Sequence, residues 1–195
     1  MRARRPRSQE IGKTKYTLRL ETGNARNANE GGNSRKSMVR SVENSLRRLQ
    51  TDYIDLLYLH MWDFMTPVEE VLRAMDDLVR AGKVLYVGFS DSPAWVMSYA
   101  VALAERYGWA RPVAAQVPYS FASRDAERAI LPMARTFGLT VLAWGLLSGG
   151  ALTGKYNEDG DEPKRYEGVS DKAKDIALGL RALAAEIGRS VFRIP

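Results

Sequence analysis

His60 is the only histidine of the 195-residue chain, and it ends the apolar run "DLLYLH". Three further apolar runs end in polar or aromatic residues: Ser90 with Asp91, then Gln116, then Trp144 with the glycine-rich stretch "GLLSGGALTGK". Lys15 closes a weaker run before them, in "KTKYTL". Each residue alone has an ordinary structural reading. His60 would be a hydrogen-bonded core histidine, Ser90 and Asp91 helix caps, and Trp144 part of the core. Gln116 resists that treatment, because an amide at the end of a buried strand needs a partner. Together the set matches the demands of one ligand. Ser90, Asp91 and Gln116 offer donors and acceptors that fix a carboxamide-bearing ring in its plane, and Trp144 stacks on one face of it. Backbone N–H groups of the glycine-rich stretch, with Lys155, would neutralise a pyrophosphate. These are the requirements of a nicotinamide dinucleotide. The stretch is not a complete P-loop: Gly149 and Gly154 have the spacing, but Tyr156 follows Lys155 where Ser or Thr is required.

Five residues from separate runs can converge only if the fold brings the run ends to one face. The order of elements predicts such a fold. Val39, Val42, Leu46 and Leu49 recur at helical spacing from Ser37 onward. Tyr53–His60 then reads as a strand buried on both faces. In "TPVEEVLRAMDDLVRAGK", Thr66 is expected to cap a helix with Pro67 at its first position, and Glu69 to close a capping box. Gly82 suits the left-handed residue that ends this helix. Ser92 and Pro93 repeat the start signal for a helix running to about Tyr107. Strands follow at "PVAAQVPYS" and "LTVLAWG", separated by "RDAERAILPMARTFG", a helix in which Pro132 is expected to cost regularity. A last helix starts at Ser170. Strand starts near 54, 84, 113 and 139 define a βα repeat, hence a parallel sheet covered by helices. An open doubly wound sheet would carry G-x-G-x-x-G after an early strand, and none is present. The glycine-rich stretch follows the last strand instead, where a (β/α)8 TIM barrel commonly grips phosphate. A barrel is the expected fold.

Composition narrows the functions. The chain has no cysteine and one histidine, which excludes disulfides and thiolate metal sites and disfavours zinc or iron centres. No window approaches 18 apolar residues. The net charge of +6 resides in residues 1–26, with eight basic and two acidic side chains, and the remainder is neutral. No specific nucleic-acid surface is therefore expected on the body of the protein. The leader "MRARRPR" lacks the apolar segment of a secretory signal. It reads as a disordered tail, with a mitochondrial presequence as the alternative, and the expected location is cytoplasmic.

The stretches "SLRRLQTDYIDLLYLHMWD", "VLRAMDDLVRAGKVLYVGFSD", "QVPYS" and "LAWGLLSGGALTGKY" resemble the signature segments of the aldo-keto reductase family. The resemblance covers about Thr14 to Arg189 and implies a (β/α)8 barrel that reduces aldehydes and ketones with NADPH. It also implies roles. Lys15 and His60 match the family's catalytic lysine and its carbonyl-orienting histidine. Ser90, Asp91 (where Asn is common) and Gln116 match the carboxamide partners, and Trp144 the stacking aromatic. Gly145, Leu146, Leu147, Ser148 and Lys155 fall in the cofactor loop, with Gly145-Leu146 in place of the usual Ser-Pro. Arg165 is placed to reach the adenosine phosphate of NADP.

The family also uses an Asp and a Tyr upstream of the lysine, and "MRARRPRSQEIGKT" contains neither. About five of eight βα units are expected, the third to the seventh, and a complete barrel takes ~250 residues. The domain reading is a basic leader over 1–13, a partial barrel over 14–190 and a divergent tail over 191–195. Little turnover is expected from such a truncated chain, and free barrel edges favour oligomers. A non-catalytic NADP(H)-binding or regulatory subunit is the alternative.

Overall fold

The computed structural model describes residues 11–18, 31–158, 165–166 and 168–193. The elements are β1 (Lys13–Tyr16), α1 (Arg35–Leu49), β2 (Ile54–Leu59), α2 (Val68–Arg80), β3 (Val84–Ser90), α3 (Ala94–Tyr107), β4 (Pro112–Pro118), α4 (Ile130–Phe137), β5 (Thr140–Trp144) and α5 (Asp171–Glu186). Five parallel strands form one sheet in the order β1-β2-β3-β4-β5. Each strand pairs with the next along the chain and the winding direction never reverses. That order belongs to a partial (β/α)8 barrel, since a doubly wound sheet reverses at a switch point. Lys13 and Thr14 enter β1 despite their polarity; among the described residues β1 is an edge strand, paired only with β2.

The chain divides into two compact units, Met1–Gln116 with Ala129–Leu142, and Val117–Arg128 with Ala143–Pro195. In the first, Ile54, Leu57, Tyr58 and Leu59 of β2 are fully buried beside Leu72 and Met75 of α2 and Val87 and Phe89 of β3. Each such apolar side chain contributes ~1.5–3 kcal/mol. Asp76 on α2 is 2% exposed and accepts from Ala110 N at 2.8 Å and Arg80 Nε at 2.6 Å, tying α2 to the turn before β4. In the second unit, α5 packs Ala177 and Leu180 on the 3-10 segment Ser148–Thr153, where Leu152 is fully buried.

Local signals hold with three adjustments. Ser170 caps α5 by accepting from Ala173 N, and Gly82 adopts φ 70° just past α2, as expected. The buried face of α1, however, is Met38, Val42 and Leu46 with Ser37, while Leu49 is 48% exposed. Neither Thr66 nor Ser92 caps a helix: α2 and α3 start one residue beyond Pro67 and Pro93 with no side-chain cap. The Thr66 hydroxyl donates to Asp63 instead, and Glu69 accepts from the Tyr99 hydroxyl rather than closing a box. Pro132 costs α4 nothing, because the helix begins at Ile130 and its first-turn N–H groups have no intrahelical partner anyway.

Candidate functional site

The first unit brings five of the expected residues to the carboxyl ends of β1 to β4. Register places Lys15 opposite Tyr58, Tyr58 opposite Gly88 and Gly88 opposite Ala114, which forms one row across the sheet. Two residues further on, Ser90 lies opposite Gln116. Successive side chains on a strand alternate in direction, so His60, Ser90 and Gln116 share the face of Tyr58 and Gly88. The His60 backbone N–H donates to Tyr16 O at 3.0 Å, which extends the β1–β2 ladder by one residue and fixes where the imidazole begins. Asp91 N donates to Gln116 O at 3.2 Å and does the same between β3 and β4.

Three side-chain atoms on this face are buried with no hydrogen-bond partner among the described residues: Ser90 Oγ, Gln116 Oε1 and the Tyr58 hydroxyl. Native interiors rarely leave such atoms alone. Ser90 and Gln116 are register partners, so their two atoms can serve a single planar group carrying both a donor and an acceptor. A carboxamide is such a group. Backbone strain collects at the same end of the sheet. Of the five described non-glycine residues with positive φ, Thr17 (116°), Phe64 (58°) and Asp91 (39°) lie just beyond β1, β2 and β3. Asp and Asn tolerate the left-handed region better than other side chains, which accounts physically for an Asp where the family commonly has Asn.

The His60 imidazole is held below its ordinary value of 6.5 by burial first and by the Lys15 ammonium second, against the opposing pull of the Asp91 carboxylate. It is therefore neutral at pH 7, with an N–H to donate. The linkage sign follows. The unfolded chain binds the histidine proton more tightly than the folded one, so stability contributed by neutral His60 is complete above about pH 6.5 and declines as pH falls below it. We expect a decrease in unfolding free energy on acidification from pH 6.5 to 5 that His60→Gln largely removes, measured by urea denaturation at each pH. Asp63 has the same linkage sign at lower pH. Although burial pushes its carboxyl up, donors from Thr66, Met65 and Asn33 hold it below 3.8, so its contribution disappears only in stronger acid.

The second unit holds the remaining expected residues. Trp144 ends β5, its carbonyl accepts from Tyr119 N at 3.2 Å, and its ring is 43% exposed, so it is not a core residue. Gly145 adopts φ 71°, and Gly145 O accepts from Ser148 N at 2.7 Å. Leu146 is exposed, and Leu147 O accepts from both Gly150 N and Leu152 N. Ser148 Oγ lies 3.2 Å from Ser120 Oγ. Gly149 is left-handed and has the Tyr166 ring where a Cβ would be; Arg165 stacks over that ring with its guanidinium 6.0 Å away. The Lys155 ammonium lies 5.7 Å over the Tyr156 ring, with its stem against Gly150. Three features escaped the sequence reading: Ser120 as the partner of Ser148, the orphaned Tyr58 hydroxyl, and the network of Thr17, Asn33 and Asp63 described below. A residue alternating inward two places before His60 was a legible sign of Tyr58; the other two depend on contacts distant in sequence.

Five parallel strands wound in one direction and alternating with helices are the architecture of a partial βα barrel. The chain belongs to the aldo/keto reductase family, whose family model matches residues 1–194. It is 39% identical over 199 residues to a probable aryl-alcohol dehydrogenase, AAD4, of Saccharomyces cerevisiae, covering 96% of this chain and 60% of that one. It is 45% identical over 198 residues to norsolorinic acid reductase A of Aspergillus parasiticus, covering 97% and 51%. For norsolorinic acid reductase stcV of Emericella nidulans the figures are 39% over 197 residues, 93% and 51%. The chain thus spans about half the length of the curated relatives it matches. Among the described residues no helix is long and apolar enough to cross a membrane.

Proposed function

We propose that this chain carries the cofactor- and carbonyl-positioning part of an NADPH-dependent oxidoreductase acting on aryl aldehydes or ketones. The observation that carries the reading is the register pair Ser90–Gln116, with two buried polar atoms left for a planar amide. Ser90, Asp91 and Gln116 would hold the nicotinamide carboxamide. Trp144, the turn Gly145–Ser148, Lys155 and Arg165 would serve the ring, the pyrophosphate and the adenosine phosphate. When bound, the cofactor supplies a hydride. Neutral His60 donates a hydrogen bond that orients the carbonyl oxygen, and Lys15 supplies positive charge near it. The aryl preference draws on the printed names of the relatives, which include an aryl-alcohol dehydrogenase.

The stretch before Lys15, where the resemblance would place the family's proton-donating tyrosine, contains no tyrosine. Tyr58 does not replace it, because burial raises its hydroxyl pKa and so tightens its hold on the proton. We therefore expect purified chain to bind NADPH, with quenching of protein fluorescence that Trp144→Ala reduces, yet to oxidise it only slowly with a panel of aryl aldehydes. Absence of binding at millimolar NADPH would overturn the cofactor reading. Robust turnover abolished by His60→Ala would overturn the expectation of slow chemistry while strengthening the assigned role of His60.

A further inference from the structure

Asn33 is a polar residue in a loop and is nonetheless 0% exposed. Every hydrogen-bonding group it owns is engaged. Its backbone N–H donates to Asp63 Oδ2 at 2.8 Å, and its Oδ1 accepts from Asp63 N at 2.7 Å. Its carbonyl accepts from the Tyr16 hydroxyl at 3.3 Å. The two hydrogens of its Nδ2 go to different strand ends: Thr17 Oγ1 at 2.9 Å, beyond β1, and Met61 O at 3.0 Å, beyond β2. His60 lies between those two anchors. Thr17 Oγ1 also receives the His60 backbone N–H at 3.4 Å, and Met61 is the next residue after the histidine. Asp63 completes the enclosure by accepting from Met65 N and Thr66 N, each at 2.9 Å, and from the Thr66 hydroxyl.

We infer that Asn33 is a positioning residue for His60, with Asp63 as its counterpart: one carboxamide ties Thr17, which itself accepts from the His60 backbone N–H, to Met61 just after the histidine, and so fixes the backbone that carries the imidazole. The residue type is required. Aspartate keeps the acceptor but loses both donated bonds and sets a second carboxylate beside Asp63, alanine loses all three side-chain bonds and keeps only the two backbone ones, and glutamine is a methylene too long. The strained φ of Thr17 and of Phe64 is what such a tie must hold in place. The inference rests on His60 being the carbonyl-orienting residue.

The lone histidine makes the test direct. In chain labelled at histidine, a single imidazole resonance is followed through a pH titration, with no cofactor or turnover needed. Failure of the positioning role is thereby distinguishable from failure of NADPH binding. The charged groups acting on His60 are Lys15 and Asp91. Asn33→Ala, Asn33→Asp and Thr17→Val are expected to broaden the resonance and move its midpoint up toward 6.5. Leu46→Ala, a core truncation in α1, should lower stability and leave the midpoint in place. A midpoint unmoved in folded Asn33→Ala and Thr17→Val would overturn the inference. So would loss of the fold in all three network variants, which would make the network a structural lock only.

Discussion

Gly88→Val is expected to destabilise the first unit by roughly 3 kcal/mol, a fall of about 6–12 °C in Tm. Gly88 lies mid-strand in β3 with an ordinary backbone, so the requirement is for space rather than for a left-handed turn. A Cβ placed there would come within 2.8 Å of Ala114 O on β4, and within 2.8 Å of Tyr58 Cε1 on β2. The Cδ1–Cε1 edge of the tyrosine ring occupies the room that the missing side chain leaves. Tyr58→Ala removes one of the two collisions and leaves the carbonyl, which belongs to the sheet backbone and cannot rotate away. The double variant Gly88→Val with Tyr58→Ala should accordingly recover part of the loss and not all of it. Thermal unfolding of the four proteins in the cycle measures this. Full recovery would mean that the carbonyl contact relaxes freely; a Gly88→Val protein as stable as the parent would mean that β3 is not packed as described.

The contrast between Gly88 and Asn33 shows what the sequence made legible. Strands were visible because apolar runs buried on both faces stand out from their surroundings, and the constant βα period made their carboxyl ends, hence His60, Ser90 and Gln116, visible with them. Gly88 became interpretable as soon as those strands were aligned, since Tyr58 two residues before His60 must face it. Asn33 was not, because it sits in "ETGNARNANEGGNS", where asparagine and glycine read as solvated loop. Its partner Asp63 is thirty residues away, and nothing local distinguishes a buried loop amide from an exposed one. The misread helix starts have the same origin. Thr66 has the right residue type and spacing for a cap, but Asp63 takes its hydroxyl, so a tertiary contact overrides a local preference.

Ser90→Ala is expected to have effects of opposite sign on folding and on cofactor binding. The Ser90 hydroxyl is buried beside Gln116 without a partner among the described residues, and an unmade hydrogen bond of that kind costs a folded protein about 1–3 kcal/mol. Replacing the hydroxyl by hydrogen removes that cost and leaves only a small void. The ligand-free variant should therefore unfold at the same temperature as the parent or up to about 4 °C higher. A structural serine would do the reverse. NADPH affinity should fall, because the hydroxyl's contribution is made only in the complex. About 1 kcal/mol corresponds to a roughly fivefold weaker Kd, and combining Ser90→Ala with Gln116→Leu should weaken it by at most roughly thirtyfold, the additive limit. The two residues would serve one amide, so their losses need not add, and a double variant little worse than the worse single one would indicate a shared group. Calorimetric titration with NADPH alongside thermal unfolding reads both halves. Ser90→Ala that lowers stability and leaves NADPH affinity unchanged would return Ser90 to the role of an ordinary strand-end serine, and with it the main support for a carboxamide at this end of the sheet.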